Sequence, residues 1–306
     1  MRLSMRSRTS KVLVAMAGLV LVAAGVFVFV QLSTKDGPAD TALRGWPVDV
    51  NGHELYIQCQ GTGSPAVILD AGLGDTYPVW DDTFIGTENL GVRVCAYDRW
   101  GLGRSGDYPG QTRPIAEAAT DLHALLAAAD VPPPYVLVSH SIAGLIHRYY
   151  TKLYQSEVAG LVLLDTAPDD WDTYMKTNAF TYGGETLDIA DVAASLRTSD
   201  DLGNRPVIVV QAERTSDIDS RVGFEQYWRG AQRRLAELST NSIFIVAAGS
   251  GHNIPITNPD TVSSAIALVV AAAKASQPLP ACAASDLTGV GGRCDAGAGN
   301  DAAALG

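Results

Sequence analysis

The chain has 306 residues, a formal net charge of −11 at neutral pH, 47 % hydrophobic residues and 18 % charged residues. This composition allows a buried core and excludes a disordered protein. The first eleven residues include four basic and no acidic side chains, so the rest of the chain is more acidic than the total suggests. Nucleic-acid binding is excluded, because no basic stripe is present to replace the counterions of phosphate groups.

Residues 12–30 form an uncharged apolar run of 19 residues directly after the basic tip. A helix of this length spans about 28 Å, close to the ~30 Å hydrocarbon core of a bilayer. Cleaved signal peptides usually have shorter apolar regions, of about 7–15 residues. We therefore predict a basic cytoplasmic tip at 1–11, an uncleaved single-pass transmembrane helix at 12–32 and an extracytoplasmic domain. Secretion after signal cleavage is the alternative.

A linker at 33–45 precedes a folded domain that we predict over residues 46–276. Asn51-Gly52 is a strong hairpin signal between two short strands. Unbroken Val, Ile and Leu runs then alternate with helix-length segments, as in a parallel sheet that is covered on both faces. The sequence predicts an α/β fold with a mostly parallel, doubly wound, eight-stranded sheet.

The predicted domain also includes an insertion and is followed by a tail, and the chain has four cysteines. Residues 166–204 contain no strand-like run and predict a short cap insertion, and 277–306 form a Gly- and Ala-rich tail. Cys282 and Cys294 could close a small disulfide loop in that tail. Cys59 and Cys95 lie in apolar strand-like runs, where a second bridge and a pair of small buried hydrophobic residues are equally compatible with the sequence.

The segment VSHSIAG at 138–144 joins a predicted buried strand to a predicted helix. A nucleophile on a sharp strand-to-helix turn needs small neighbours two residues away on each side, and Ser139 and Ala143 meet this need around Ser141. The helix N-terminus favours a developing negative charge. Ser141 is therefore the candidate nucleophile, and an ordinary helix cap is the alternative.

His252 lies in the Gly-rich loop AAGSGHN, which follows the predicted strand at 243–246. Such a loop can fold back over a serine, so His252 is the candidate base. No pair of histidines has zinc-ligand spacing supported by a third ligand, and we expect no metal site. The loop LDAGLG at 69–74 follows an earlier strand, and its glycines allow backbone amides to face a cavity, as an oxyanion hole requires.

Four segments resemble, in this order, the motifs of the α/β-hydrolase fold family, in its serine esterase/lipase-like branch: LDAGLG at 69–74, DRWGLGRS at 98–105, SHSIAG at 139–144 and GSGH at 249–252. The resemblance covers roughly residues 46–275. It implies that Ser141 is the nucleophile and His252 the base. It also implies that the amides of Leu73 and Ile142 are the oxyanion donors.

This chain departs from the family pattern at several positions. Ser139 and Ala143 replace the usual glycines of the serine turn, and Ala71 stands where histidine is common. Members of the family usually have the triad acid in the loop after the strand that corresponds to 207–210. In this chain the expected position falls near Thr215, which is not an acid. Some relatives, including haloalkane dehalogenases, take the acid from the end of the preceding strand.

That alternative acid is Asp165 in this chain, and we favour it. Asp217 and Glu213 remain the other candidates. A G-x-G-x-x-G pattern at 101–106 is not followed by a helix, so we predict no nucleotide or other cofactor.

The sequence predicts a serine hydrolase of carboxylic esters that acts on a small-molecule substrate through an acyl-enzyme. Two alternatives remain. The first is a hydrolase-fold binding or signalling protein without turnover, because of the departures in the serine turn. The second is acyl transfer or peptide-bond cleavage by the same residues.

Overall fold

The structure is a computed structural model that describes residues 43–295. These residues form strands β1 (Arg44–Val50), β2 (His53–Gln60), β3 (Ala66–Asp70), β4 (Val94–Asp98), β5 (Arg113–Pro114), β6 (Tyr135–His140), β7 (Val158–Leu164), β8 (Ala179–Tyr182), β9 (Glu185–Asp188), β10 (Val207–Ala212), β11 (Ser242–Ala247) and β12 (Gly292–Cys294). Nine of them make the main sheet, in the order β1-β2-β4-β3-β6-β7-β10-β11-β12. The six strands from β4 to β11 in that order are parallel, and the edges are antiparallel.

Helices cover both faces of this sheet. Their bounds are α1 (Asp81–Thr87), α2 (Ile115–Ala128), α3 (Ala143–Leu153), α4 (Trp171–Met175), α5 (Ala190–Thr198), α6 (Phe224–Glu237), α7 (Ile254–Thr257) and α8 (Pro259–Ala275). Within β6, Leu137 belongs to one core cluster, and Val136 and Val138 belong to the other. Because successive strand side chains point to opposite faces, a strand buried on both sides must be apolar throughout. The prediction of a doubly wound, mostly parallel sheet is confirmed.

The predicted strand number of eight is wrong, because β12 adds a ninth strand from the segment that we interpreted as a tail. β12 pairs antiparallel with β11 at the edge of the sheet. It has only three residues and no apolar run, so its sequence carries no strand pattern. The disulfide between Cys282 and Cys294 closes this segment onto itself. Residues 277–295 are therefore part of the folded domain.

The cap between β7 and β10 contains strands, contrary to our interpretation of residues 166–204. β8 and β9 form a hairpin whose turn is Gly183-Gly184, and β9 also pairs with β5. β8 is largely exposed. An exposed short strand needs no apolar run, which explains why the sequence pattern failed to predict it.

Cys59 and Cys95 stand directly opposite each other in the β2–β4 pair and form a second disulfide.

The predicted transmembrane helix at 12–32 lies outside the described residues. Within 43–295, no helix combines the length and apolar character that a membrane crossing requires.

Candidate active site

The site lies at the carboxyl edge of the parallel strands, where four segments meet. Ser141 follows β6, Asp165 follows β7 and His252 follows β11. The loop at 71–75 follows β3, which is hydrogen-bonded to β6. β6 and β7 are neighbours in the sheet, whereas β11 is three positions from β6. The loop that carries His252 therefore extends back toward Ser141 and Asp165 and brings the three side chains within hydrogen-bond distance.

Ser141 stands on a tight turn between β6 and α3. Its φ of 56° lies in the left-handed region, which is uncommon for a residue other than glycine. Such strain persists where the surrounding structure enforces it, and it often marks a functional position. A Cβ atom on Gly144 would lie 2.4 Å from the Cβ of Thr166, so α3 can approach the adjacent loop only with glycine there.

His252 connects Ser141 to Asp165. Its Nε2 lies 2.9 Å from Ser141 Oγ, and its Nδ1 lies 2.7 Å from Asp165 Oδ2. Asp165 is fully buried, whereas the imidazole is partly accessible. A carboxylate at Nδ1 holds the imidazole with Nε2 as the acceptor toward the hydroxyl. This geometry can move the serine proton to the histidine.

The second carboxylate oxygen of Asp165 has donors that the sequence analysis missed. Trp228 Nε1 donates to Oδ1 at 2.7 Å, and the Ala212 backbone amide donates at 3.0 Å. Trp228 lies on α6, a helix for which we made no prediction. The spacing of Phe224, Trp228, Ala231 and Leu235, all buried on one side of α6, is a helical signal that could have identified it.

The two alternative acids contact the backbone of the histidine loop instead of the imidazole. Asp217 Oδ2 accepts a hydrogen bond from the His252 backbone amide at 2.9 Å. Glu213 accepts from the Gly249 amide and is paired with Arg293 on β12. Of the three candidates, Asp165 alone lies against Nδ1 in the described structure.

The amides of Leu73 and Ile142 are available to a ligand. Within residues 43–295, neither N–H donates a hydrogen bond, whereas the neighbouring Gly74 amide donates to Glu185 at 2.9 Å. Ile142 directly precedes α3, and Leu73 lines the same cavity as Ser141. Amides that donate no hydrogen bond within the protein can stabilise an oxyanion that forms next to them.

His140 contacts the backbone of the loop that carries His252. Its Nε2 lies 2.8 Å from the His252 carbonyl oxygen. Burial lowers the pKa of His140 to about 3, and the nearby imidazole of His252 contributes to this shift. His140 is therefore neutral, with the Nε2 proton donated to the carbonyl.

A cavity of about 360 Å³ opens above Ser141. It is lined by Gly72, Leu73, Asp75, His140, Ser141, Trp171, Tyr182, Asp217, Ile218, His252 and Asn253. Burial raises the pKa of the Asp75 carboxyl, an effect that the charge of Arg99 partly offsets. The lining set holds two carboxylates and no lysine or arginine. Within the described part of the chain, no group of three or more His, Cys, Asp or Glu side chains could hold a metal ion.

A doubly wound sheet with a serine turn, a histidine loop and a cap insertion defines the α/β-hydrolase architecture, and the comparisons agree. The family model described as the alpha/beta hydrolase fold matches residues 65–214. The chain belongs to this family. The Bacillus subtilis protein YqjL is 29 % identical over 218 residues, which are 68 % of this chain and 84 % of YqjL.

Solved structures show the same fold. A thermophilic esterase from Thermogutta terrifontis has a TM-score of 0.56 at 20 % identity, covering 73 % of this chain and 96 % of the esterase. A thioesterase domain from the curacin biosynthetic pathway has a TM-score of 0.52 at 15 % identity, covering 74 % of this chain and 99 % of the domain. At these identities the likeness concerns the fold alone, so the reaction must be argued from the site.

Proposed function

We propose that the protein hydrolyses carboxylic esters by acyl transfer to Ser141. The observation that carries the proposal is the continuous hydrogen-bond chain from Ser141 Oγ through His252 to buried Asp165. The Leu73 and Ile142 amides donate no hydrogen bond within residues 43–295, and Leu73 and Ser141 line a cavity of about 360 Å³ that has room for a small molecule. These features together match the needs of nucleophilic acyl transfer better than those of a binding protein.

In the proposed reaction, Ser141 Oγ attacks the ester carbon while His252 Nε2 takes the hydroxyl proton. The carbonyl oxygen becomes an oxyanion, which the Leu73 and Ile142 amides stabilise. Collapse of this intermediate expels the alcohol, which receives the proton from His252, and leaves an acyl-enzyme. Water, deprotonated by the same histidine, then releases the acid and restores the serine.

The Ser141→Ala variant tests the nucleophile. It should lose p-nitrophenyl butyrate hydrolysis by at least about a thousandfold, because the attacking oxygen is absent. A fluorophosphonate probe should label the parent protein at Ser141 and leave the variant unlabelled. Undiminished turnover by the purified variant would refute the assignment. An unlabelled and inactive parent would favour the binding-protein alternative.

A pair of carboxylate variants tests the acid. Asp165→Asn should lower kcat by about a thousandfold or more, because the amide cannot support the same imidazole tautomer and charge. Asp217→Asn is the matched control, since Asp217 also lines the cavity but its carboxylate contacts the backbone amide of His252 and not the imidazole. A larger kcat loss in Asp217→Asn than in Asp165→Asn would reverse the assignment.

We also propose that the domain is extracytoplasmic and anchored by residues 12–32. The disulfides Cys59–Cys95 and Cys282–Cys294 support an oxidising compartment. If the anchor is retained, the protein should stay in the membrane pellet after alkaline carbonate washing. Release into the wash would contradict a retained anchor and favour the secreted alternative.

A further inference from the structure

The hairpin of β8 and β9, here called the cap hairpin, lies against the loop at 71–75. A Cβ atom on Gly74 would lie 2.3 Å from the Tyr182 carbonyl oxygen. A Cβ atom on Gly183 would lie 2.7 Å from the Gly74 carbonyl oxygen. The two backbones can therefore touch only because both positions are glycine. A segment of the cap is thus in direct contact with the loop that carries one proposed oxyanion donor.

Arg99 holds the same loop from within the protein. Its side chain is only 2 % exposed, and it donates at 2.7 Å to each of the carbonyl oxygens of Ala71 and Gly72. The Gly72 carbonyl and the Leu73 amide belong to one peptide unit. Because a trans peptide is planar, its C=O and N–H point in opposite directions. A hydrogen bond that fixes Gly72 O therefore also fixes the direction of the Leu73 N–H, away from Arg99.

Glu185 of the cap hairpin connects these two contacts. Its Oε1 and Oε2 accept from Arg99 Nε and Nη2 at 2.8 and 2.7 Å, in a bidentate pair. Oε2 also accepts from the Gly74 amide at 2.9 Å. Burial by itself would raise the pKa of Glu185, but the Arg99 charge and these hydrogen bonds outweigh it and lower the pKa. The carboxylate is therefore ionised at neutral pH and keeps the guanidinium in place.

We infer that the cap hairpin is a positioning element for the oxyanion hole. Glu185 and the buried Asp70, whose Oδ1 accepts from Arg99 Nη1 at 2.6 Å, together fix Arg99. Arg99 fixes the Gly72–Leu73 peptide, and the Gly183–Gly74 contact keeps the loop from shifting toward the cap. The inference rests on the proposed function, because it assigns a purpose to the Leu73 amide. It makes Glu185 a positioning residue that acts on the reaction without touching substrate.

Two neighbouring glycines of the hairpin turn provide a matched test. Gly183→Ala should displace the 71–75 loop, because its Cβ meets the Gly74 backbone. Gly184→Ala is the control: Gly184 has an even larger positive φ, of 88°, but an added Cβ meets nothing within 4 Å. Gly183→Ala should lower kcat for p-nitrophenyl butyrate by about ten- to a hundredfold, since a displacement of about 1 Å can have that effect. Gly184→Ala should stay within about threefold of the parent.

A tetrahedral inhibitor separates positioning from a general loss of structure. Ser141 Oγ adds to the carbonyl carbon of an alkyl trifluoromethyl ketone while His252 Nε2 takes the hydroxyl proton. The C=O double bond becomes a single bond, and the ketone oxygen becomes an alkoxide in the proposed oxyanion hole. In Gly183→Ala and Glu185→Gln, the inhibition constant of this ketone should rise by about the same factor as kcat/KM falls. KM should change by less than about threefold, because the ground-state ester gains little from the donor.

Two results would overturn the inference. The first is equal activity in Gly183→Ala and Gly184→Ala. The second is unchanged ketone affinity in a Glu185→Gln variant whose kcat has fallen. Ser141→Ala measured in the same assay keeps the two proposals apart. An active Ser141→Ala protein contradicts the proposed function, whereas an inactive Ser141→Ala protein together with an unaffected Gly183→Ala protein contradicts the role of the hairpin alone.

Discussion

At the scale of single residues, Asp165 is distinguished by how its two oxygens are used. Oδ2 faces His252, and Oδ1 is saturated by Trp228 and the Ala212 amide. A carboxylate with both oxygens bonded cannot rotate, so the imidazole that it holds is also fixed. The indole donor comes from α6, 63 residues further along the chain. Trp228 is therefore a positioning residue in the proposed mechanism.

Trp228→Phe should remove this donor while keeping an aromatic ring in the core. A hydrogen bond to a charged group contributes about 1.5–3 kcal/mol, so we expect kcat to fall by about ten- to a hundredfold. KM should change little, because Trp228 is absent from the lining of the cavity. Steady-state kinetics with p-nitrophenyl butyrate at pH 7.5 measure both values.

Trp80→Phe is the matched control for this substitution. Trp80 is also completely buried, but its Nε1 has no hydrogen-bond partner in the described residues, and it packs with the core cluster that does not contain Trp228. A similar kcat loss in both variants would mean that the effect arises from repacking of the core and not from the Asp165 contact.

At the scale of elements, the parts that the sequence could predict are those whose pattern is dictated by burial. β3, β6, β7, β10 and β11 are buried along their whole length or nearly so, and unbroken apolar runs indicate them. Ser141 and His252 could be predicted because each lies on a short local motif next to such a strand. Their roles in catalysis stay a proposal.

The missed elements depend on contacts that no local pattern encodes. The cap hairpin is stabilised by β5 and by the loop at 71–75, and β12 by β11 and a disulfide. The sequence analysis favoured Asp165 through the family resemblance, but no local pattern distinguishes it from Asp217 and Glu213, because the loops that carry these three residues converge only when the sheet forms. Glu185 was missed for the same reason: its partner Arg99 is 86 residues away.

At the scale of the whole molecule, the acidic character of the chain extends into the cavity. Asp75 and Asp217 are among its lining residues, which include no lysine or arginine. A partly buried carboxylate repels an anion more strongly than an exposed one, because water screens it less. The cavity should therefore favour neutral or cationic esters over anionic ones of equal size.

The p-nitrophenyl esters of valeric acid and of glutaric acid test this selectivity, since the second adds a terminal carboxylate. Asp75→Asn should raise the ratio of kcat/KM for the glutarate ester to that for the valerate ester by at least about fivefold. Asp82→Asn changes the net charge equally at an exposed position on α1 and should leave the ratio unchanged. An unchanged ratio in Asp75→Asn would contradict a role of this carboxylate in selectivity.

The fold also contains two histidines that are buried in their neutral form. Burial lowers the pKa of His147 to about 4, although Asp70 opposes this shift, and that of His140 to about 3. In the unfolded chain both should titrate near 6.5. Their contribution to stability is therefore complete above about pH 6.5, and it decreases as the pH falls toward the folded-state values, because only the unfolded state binds the protons.

Urea unfolding between pH 6.5 and 5 measures this dependence. Each such histidine should lower the free energy of unfolding by up to about 1.4 kcal/mol per pH unit. His147→Gln should reduce the slope of the unfolding free energy against pH by about the amount that one bound proton contributes, since glutamine does not titrate. This holds whatever the effect of the substitution on stability at neutral pH. His147 is fully buried near Asp70 and outside the cavity lining, so esterase activity of the folded variant reports whether the site is intact. A slope equal to that of the parent would mean that His147 is protonated in the folded protein, where the Asp70 carboxylate would then have to balance its charge.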